Sequence, residues 1–344
     1  MYRFNNDYNH VCCKEIMEEL INIKYNSYEG YGRDTICLEA KEKIKEAIDC
    51  EKAKIHFLVG GTQTNRIVIS SSLRCYESVI SSEIGHIFAH ETGAIESTGH
   101  KVEIIKSFDG KLDPNLLIKK IEEYENNDFK SHITTPRVVY TSLPTELGAI
   151  YTKKELEEIF NICKEHSLYF YLDGARLGYG LNAKECDITL KDLPKLCDAF
   201  YIGGTKCGAM FGEAVVLINE NLKSGFRQMI KQTGGLLAKG FLLGLQFKVL
   251  FTNNLYMNIT KDAVDYAIKI KKAFLEKDIE LYYDSPTNQQ FILLSENHYN
   301  ILKEKYIFEH EGIINSKHQI RICTDFMTKE EEVESLINDI KILP

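Results

Sequence analysis

Two short apolar runs, each ending in glycine, constrain the fold of this chain more than any other feature of its sequence. One run lies in residues 167–176 and reaches Asp173, and the other lies in residues 198–208 and reaches Lys206. Short apolar runs bounded by glycine are typical of buried strands. Because ligand sites in open α/β sheets lie at the carboxyl ends of strands, the pattern predicts that both side chains face one site.

The rest of the chain alternates apolar runs with amphipathic helical periodicity, which favours an α/β protein with a mostly parallel central sheet. Further strands are predicted in residues 53–59, 102–105, 137–141 and 213–218, with a weak alternation in residues 78–84, and helices are predicted in residues 36–48, 114–126 and 152–165. Thr152 with Glu155 resembles a capping box at the start of the last of these helices.

The pattern changes after residue 250. A long amphipathic helix is predicted in residues 261–277, followed by strands in residues 289–294, 306–314 and 319–323 and a final helix in residues 329–340. This order is typical of a small α+β domain. We therefore expect a large domain in residues 1–250 and a small C-terminal domain in residues 251–344, with residues 1–25 packing against the small domain.

Composition and charge exclude several classes of function. The net charge is -8 and no basic cluster occurs, which disfavours nucleic-acid binding. The ten cysteines show no C-x-x-C spacing, so no metal site is expected. Residues 3–10 are polar and no apolar segment is long enough to cross a bilayer, so we expect neither a signal peptide nor a membrane span. These features predict a cytoplasmic protein with reduced cysteines.

The chemistry that would use Asp173 and Lys206 together is narrow. Taken alone, Lys206 is more simply a surface lysine in a turn, because lysine is rarely buried unless it is paired. An amine in a desolvated setting, in contrast, loses its proton readily and forms Schiff bases with carbonyl cofactors. Pyridoxal phosphate needs such a lysine together with an acid at its pyridinium nitrogen. The pair therefore indicates a pyridoxal-phosphate enzyme.

Two further segments carry candidate binding groups. Gly60, Gly61 and Thr62 precede a helical pattern, and the backbone N–H groups at such a helix start can hold an anion. A glycine pair alone is a weak signal, since most such pairs only form a turn. His86 follows an apolar segment and is placed to stack on a flat ring, although a histidine satisfied by hydrogen bonds in the core or a loop explains it more simply.

These features occur in an order that resembles the threonine aldolase / β-eliminating lyase family of fold-type-I pyridoxal-phosphate enzymes. The resemblance covers nearly the whole chain and implies an aspartate aminotransferase-like fold, with a large cofactor-binding domain and a small C-terminal domain. The residues that carry it are Asn6-Asp7, Tyr31-Gly32 with Asp34, Gly60-Gly61-Thr62 and the residues of segments 86–93, 99–102, 172–176 and 203–206.

The resemblance implies a role for each matching residue of the cofactor site. Lys206 would hold pyridoxal phosphate as a Schiff base, Asp173 would bind its pyridinium nitrogen, and His86 would stack on its ring. These three are the expected catalytic residues. The other cofactor-binding residues that the resemblance implies are Gly61, Thr62, Gln63 and Arg176, of which the first three would bind the phosphate.

Substrate binding is implied at arginines from both domains. Arg176 and Arg321 would bind the carboxylate of a small amino acid, with Asn6 beside it. Enzymes of this kind bury their active sites between subunits, so a homodimer or homotetramer is expected. Tyr31 and Lys239 would then serve the site of a neighbouring subunit.

The implied reaction is the cleavage of a β-hydroxy-α-amino acid, such as threonine or allo-threonine, to glycine and an aldehyde. One departure from the family pattern is clear. Threonine aldolases often carry a His-Asn pair after the strand that matches residues 137–141, whereas residues 142–145 of this chain are Ser-Leu-Pro-Thr. The base for the substrate hydroxyl therefore stays open between His86, His90 and a water held by one of them.

Other functions also stay open. The same lysine and aspartate would serve transamination, desulfuration or β-elimination in an enzyme of this fold. A protein that keeps the fold without its chemistry is a second alternative, which intact Lys206, Asp173, Arg176 and Arg321 disfavour. A nucleotide-binding α/β protein is a third, but this chain lacks the glycine-rich fingerprint followed by an acid on the next strand that such a protein needs.

Overall fold

The computed structural model describes residues 1–344 and contains three β-sheets. The strands are β1 (Tyr2–Arg3), β2 (Lys54–Leu58), β3 (Glu77–Ser82), β4 (Val102–Ile105), β5 (Thr135–Ser142), β6 (Tyr169–Asp173), β7 (Ala199–Gly203), β8 (Glu213–Leu217), β9 (Leu281–Tyr283), β10 (Gln289–Leu294), β11 (Tyr306–Ile307), β12 (Glu309–Ile314) and β13 (Lys317–Cys323).

Helices connect most of these strands. They are α1 (Lys14–Asn22), α2 (Thr35–Ile48), α3 (Gly61–Ser72), α4 (His86–Ala89), α5 (Pro114–Glu125), α6 (Lys153–Glu165), α7 (Leu177–Leu181), α8 (Leu193–Leu196), α9 (Glu220–Lys223), α10 (Phe226–Gln232), α11 (Phe241–Leu250), α12 (Leu255–Leu275), α13 (Glu296–Leu302) and α14 (Glu330–Lys341). Two short 3-10 helices lie at Glu96–Thr98 and Lys130–His132.

Seven strands form the central sheet in the order β2-β8-β7-β6-β5-β3-β4. All neighbours pair in parallel except β8, which runs antiparallel to both β2 and β7. Phe170 and Leu172 of β6 join one apolar core cluster, while Tyr171 joins a second cluster on the other face. A strand buried on both faces needs no polar side, which explains the continuous apolar runs of the sequence. The expected α/β class with a mostly parallel sheet is confirmed.

A four-stranded antiparallel sheet in the order β12-β13-β10-β9 forms the C-terminal part of the fold. Its own core contains Ile320 and Ile322 of β13, which places Arg321 on the opposite face of that strand. The amino-terminal strand β1 pairs in parallel with β11, and Phe4 packs in the same core. Helix α12 contributes to this core and to the larger core of the central sheet, so it bridges the two parts. The division of the chain at residue 250 stays a prediction.

Local sequence signals account for the start of several helices. The side chain of Asp113 accepts hydrogen bonds from the N–H groups of Asn115 and Leu116 at the start of α5. At the start of α6, Thr152 forms the expected capping box with Glu155. Such caps satisfy N–H groups that have no partner inside the helix, so these boundaries can be predicted from a few neighbouring residues.

Several predicted elements differ from the structure in extent, and three of these differences have a clear physical reason. The single strand predicted in residues 306–314 is divided into β11 and β12, because its first two residues pair with β1 whereas β12 pairs with β13. The helix predicted from residue 261 begins at Leu255, where Tyr256 already packs into the interior. The weak alternation in residues 78–84 corresponds to β3, whose six residues are all buried, so little alternation is expected.

The structure also shows the state of the cysteines and the length of the apolar helices. All ten cysteines are free, and only Cys75 among them is exposed. None of the helices combines the length and the apolar character that a bilayer crossing would require.

Candidate functional site

The carboxyl ends of β6 and β7 approach each other closely at two glycines. A Cβ atom added to Gly174 would lie 2.0 Å from a backbone carbonyl oxygen, and one added to Gly203 would lie 2.2 Å from another. Only glycine, which has no Cβ atom, allows such an approach. The close approach brings Asp173, at the end of β6, and Lys206, three residues after β7, to one cavity of about 460 Å³. Cavities of this size bind small molecules in many proteins.

Asp173 is buried and held by three hydrogen-bond donors. Its Oδ2 atom accepts from the hydroxyl of Tyr140 at 2.7 Å and from the side-chain amide of Asn65 at 3.0 Å. Its Oδ1 atom accepts from the N–H of Ala175 at 2.9 Å. These contacts fix the orientation of the carboxylate at the cavity wall, where it can meet a cation.

The amine of Lys206 lies in a setting that favours loss of its proton. Burial lowers the pKa of Lys206, and the positive charge of Arg176 lowers it further. The carboxyl groups of three residues raise the pKa of Lys206, but its net shift is downward; these residues are Asp7, Asp173 and Glu213. An amine of this kind can act as a nucleophile toward a carbonyl group.

Glu213, the first residue of β8, lies on the same cavity as Lys206. Its Oε2 atom accepts from the N–H of Gly204 at 2.9 Å, and its side chain is almost fully buried. Burial raises the pKa of Glu213 to about 8, because the charged form is poorly solvated there.

His86 opens helix α4 and lies half-buried on the cavity wall. Its Nδ1 atom lies 2.9 Å from Glu91 Oε1. The side-chain amide of Asn65 donates to the same oxygen at 2.8 Å and also to Asp173. A continuous hydrogen-bonded chain therefore joins the imidazole to Asp173 and fixes the plane of the ring. His90 lies farther out and is exposed, with its ring centroid 5.7 Å from that of His86.

The start of α3 forms a second wall of the cavity. Gly60 is the N-terminal cap and provides no side-chain hydrogen bond to the helix. The N–H groups of the first turn therefore have no partner inside the helix. Gly61 and Thr62 line the cavity, whereas the side chain of Gln63 turns back and accepts from the N–H of Val59 at 3.2 Å. A helix start of this kind suits an anionic group.

Arg176 lies on the cavity and is held by a carboxylate from the amino-terminal segment. Its Nε and Nη2 atoms donate to Asp7 at 2.6 and 3.1 Å. Asn288, which follows β9 in the chain, donates to the same carboxylate at 3.0 Å. Although burial alone would raise the pKa of Asp7, the charges of Arg176 and Lys206 lower it to about 2. Guanidinium has five N–H donors, so Arg176 keeps three for a ligand.

Arg321 reaches the cavity from β13. Its Nη1 atom lies 3.7 Å from Oε1 of Glu311 on the neighbouring strand, a loose ion pair. Its Nε atom is buried without a hydrogen-bond partner. A buried donor without a partner is costly, so this arginine is arranged to bind a further anion.

Three residues that the sequence assigned to substrate binding or to a neighbouring site do not line this cavity. The Oδ1 atom of Asn6 accepts from the N–H of Tyr8, and it is Tyr8 that reaches the cavity. Tyr31 lines a separate small crevice and has an exposed ring, and Lys239 is also exposed. The roles predicted for Asn6, Tyr31 and Lys239 stay predictions.

Sequence reasoning missed three carboxyl groups of the site. Asp7 follows Asn6, which was selected instead, and its partner Arg176 lies 169 residues away. Glu213 is the first residue of an apolar run that predicted a strand, and the sequence analysis assigned it no functional role. Glu146 lies four residues after β5. Its position just after a predicted strand was the sequence signal that could have identified it as a site residue.

Comparison with known proteins places the chain in a family. The family model for beta-eliminating lyase matches residues 6–331. A low specificity L-threonine aldolase from Pseudomonas sp. is 28% identical over 338 residues, which cover 96% of this chain and 94% of that protein. The structure of a threonine aldolase from Leishmania major matches with a TM-score of 0.96 at 40% identity and covers 99% of both chains.

A more distant structure defines the fold alone. An aspartate aminotransferase mutant from Thermus thermophilus matches with a TM-score of 0.72 at 13% identity, covering 100% of this chain and 92% of that chain. The expected fold-type-I, aspartate aminotransferase-like architecture is thereby confirmed. Because the family match covers most of the chain and includes every residue that lines the cavity, the chain belongs to the beta-eliminating lyase family.

Proposed function

We propose that this protein is a pyridoxal-phosphate-dependent aldolase that cleaves a β-hydroxy-α-amino acid, such as threonine or allo-threonine, to glycine and an aldehyde. The observation that carries the proposal is the placement of Lys206, Asp173 and two arginines around one cavity. The likeness to the threonine aldolase from Leishmania major, at 40% identity over 99% of the chain, supports the same activity.

The residues of the cavity fit pyridoxal phosphate. Lys206 offers an amine with a lowered pKa, and Asp173 offers a fixed carboxylate on the adjacent strand. The first turn of α3 offers N–H groups to a phosphate at Gly61 and Thr62. His86 provides a flat ring on the cavity wall. When bound, this cofactor supplies a carbonyl that condenses with amines and a ring that withdraws electrons from the Cα atom of an amino acid.

Each side chain then has a separate task. Lys206 would provide the amine that holds the cofactor. The carboxylate of Asp173 would hold a proton at the ring nitrogen of the cofactor. Arg321 and the N–H groups of Arg176 that Asp7 does not use bind the substrate carboxylate, which orients the bond that breaks.

The test is a survey of amino acids with purified holoprotein. Release of glycine and aldehyde is measured for both threonine diastereomers and for bulkier β-hydroxy amino acids. Borohydride reduction followed by peptide mass spectrometry is expected to find the cofactor on Lys206, and Lys206→Ala serves as the control that cannot be labelled. A protein that releases glycine from none of these substrates, but transaminates or β-eliminates another amino acid, would contradict the proposal.

The proposal extends to assembly and location. A homodimer or homotetramer would cover the exposed apolar side chains of Ile21, Tyr25 and Leu38, and would bring Tyr31 and Lys239 to a neighbouring site. Ten free cysteines support a cytoplasmic location. Sedimentation velocity over a dilution series, with activity measured on the same samples, tests the assembly. Full activity in a monomer would contradict shared sites.

A further inference from the structure

Glu146 is one of two acidic groups of the cavity that the proposed function has not yet used; the other, Glu213, is buried and accepts from the N–H of Gly204. Glu146 lies four residues beyond β5, and β5 pairs with β6 so that Ser142 stands opposite Asp173. One carboxyl oxygen of Glu146, Oε1, accepts from the N–H of His86 at 2.8 Å and from the hydroxyl of Ser142 at 2.9 Å. These two donors fix the side chain in one orientation.

The other oxygen of Glu146 has no partner on another residue. No other residue donates a hydrogen bond to Oε2, and this atom is not among the polar atoms that are buried without a partner, so it faces the open volume of the cavity. No lysine or arginine forms an ion pair with Glu146. A fixed carboxyl with one committed oxygen and one free oxygen is arranged to exchange a proton with a ligand.

The electrostatic setting agrees with this geometry. Burial raises the pKa of Glu146, and the nearby charge of Asp173 raises it further. A carboxylate with a raised pKa accepts a proton more readily than one on the surface, and it can still release that proton.

The other candidates for proton transfer are less suitable. The Nδ1 atom of His86 is committed to Glu91, and its ring is the one expected to lie against the cofactor. Three hydrogen bonds hold the carboxylate of Asp173 in one orientation, and its proposed partner is the ring nitrogen of the cofactor. His90 also lines the cavity, but it is exposed, and it makes no hydrogen bond that fixes its ring.

We propose that Glu146 is a catalytic residue that removes the proton of the substrate's β-hydroxyl group, an inference that rests on the proposed aldolase function. The hydroxyl proton moves to Oε2 of Glu146, and the electron pair of that O–H bond stays on the oxygen and forms the C=O bond of the aldehyde. The Cα–Cβ bond breaks, and its electron pair remains on the glycine fragment. A proton returned to Cα completes glycine, so atoms and charge balance.

The proposal separates two parts of the reaction. A substrate that lacks the β-hydroxyl group, such as glycine, gives Glu146 no proton to remove. Exchange of the glycine α-proton with solvent deuterium therefore depends on Lys206 and Asp173 and not on Glu146. Affinity for threonine relative to 2-aminobutyrate, which differs by the hydroxyl group, reports the contact itself when it is measured in a Lys206→Ala background, where turnover is expected to be lost.

The experiment compares Glu146→Gln, His90→Asn and the exposed control Glu158→Gln as holoproteins. Glutamine keeps an oxygen for the His86 N–H and Ser142, so the fold and cofactor content are expected to be retained. Glu146→Gln is expected to lower kcat for glycine release by about 100-fold or more, the range for loss of a general base, with glycine exchange changed less than about threefold. Calorimetry should show a smaller preference for threonine over 2-aminobutyrate.

Three outcomes would overturn the proposal. The first is a Glu146→Gln variant whose kcat stays within about threefold of wild type. The second is an equal loss of glycine release and glycine exchange, which would mean that Glu146 only supports the cavity. The third is a large loss confined to His90→Asn. Glu146→Asp provides a second test if glutamine disturbs folding, since it keeps the charge and should recover part of the activity. Failure of the aldolase function itself is distinguishable, because the wild-type protein would then release no glycine.

Discussion

At the scale of single residues, the site is built from side chains whose partners hold them in one orientation. Asp173 has three donors, Arg176 is gripped by Asp7, and Glu146 is fixed by Ser142 and a backbone N–H. Such orientation matters because small errors in the position of a reacting group cost rate. Substitutions that change charge but keep shape therefore test these residues most directly.

The first prediction concerns Asp173. Asp173→Asn keeps the shape and is expected to retain the cofactor, but an amide cannot hold a ring proton by charge. Losing a charge-assisted hydrogen bond costs roughly 1.5–3 kcal/mol. The kcat for glycine release should then fall by roughly tenfold to a few hundredfold. Absorbance and turnover are measured together, and the exposed Asp128→Asn is the control. An unchanged kcat would make Asp173 a structural residue.

The second prediction concerns Arg321. Its guanidinium can grip a carboxylate with two parallel hydrogen bonds, which the ammonium of lysine cannot copy. Arg321→Lys is expected to raise KM for the amino acid at least about tenfold while cofactor content and absorbance stay the same. Arg3→Lys is the matched control on the surface. If KM is unaltered for every amino acid that the enzyme accepts, Arg321 does not bind substrate.

At the scale of secondary-structure elements, the start of α3 is the phosphate site that we propose. Its first-turn N–H groups are free because Gly60 offers no capping side chain. The glycines of the β6 and β7 ends keep the adjacent strands close, so the three elements meet at one cavity. A substitution at the start of α3 should therefore change the affinity for the cofactor as well as the stability of the fold.

The third prediction uses Thr62 at this helix start. Thr62→Asp adds a negative charge that suits the helix dipole and is expected to leave the cofactor-free protein as stable or more stable, by about 0.3–1 kcal/mol. The same charge repels a phosphate, so affinity for pyridoxal phosphate should fall at least about tenfold. Thermal unfolding and cofactor titration measure the two effects, and Thr62→Ser is the neutral control. Unchanged cofactor affinity would place the phosphate elsewhere.

At the scale of the whole molecule, Asp7 joins three parts of the chain. It lies in the amino-terminal segment, and it bonds to Arg176, just after β6, and to Asn288, just before β10. Strand β1 of the same segment pairs with β11 in the C-terminal part. The position of Arg176 thus depends on the first ten residues.

The fourth prediction is the effect of Asp7 on stability as pH changes. The pKa of Asp7 falls from the ordinary 3.8 to about 2 in the fold, so its stabilising contribution is present above the unfolded value and is lost as the pH falls toward about 2. Asp7→Asn is expected to reduce stability at pH 7 by on the order of 2 kcal/mol. The difference from wild type in urea unfolding should shrink below about pH 4. A difference that does not change with pH would assign the effect to packing.

Much of the fold and part of the site could be predicted from the sequence, because their signals are local. The apolar runs before Asp173 and Lys206, the glycines beside them and the helix start at Gly61 each depend on a few adjacent residues. The same is true of the capping box at Thr152. Burial on both faces of a parallel sheet leaves a continuous apolar run, which a reader of the sequence can recognise. The alternation of such runs with helices was enough to predict the α/β class.

Only the tertiary structure decided which distant groups meet. The sequence alone did not connect Asp7 with Arg176, and it gave Glu213 and Glu146 no function. Arg321 was predicted from the family resemblance. It reaches the cavity because it lies on the face of β13 opposite Ile320 and Ile322, which pack in the core. These contacts form between elements that are far apart in the chain, so no local periodicity encodes them. The place of Arg321 on the cavity is fixed by how the two parts of the chain pack together, and the orientation of Glu146 is fixed by its contacts with His86 and Ser142.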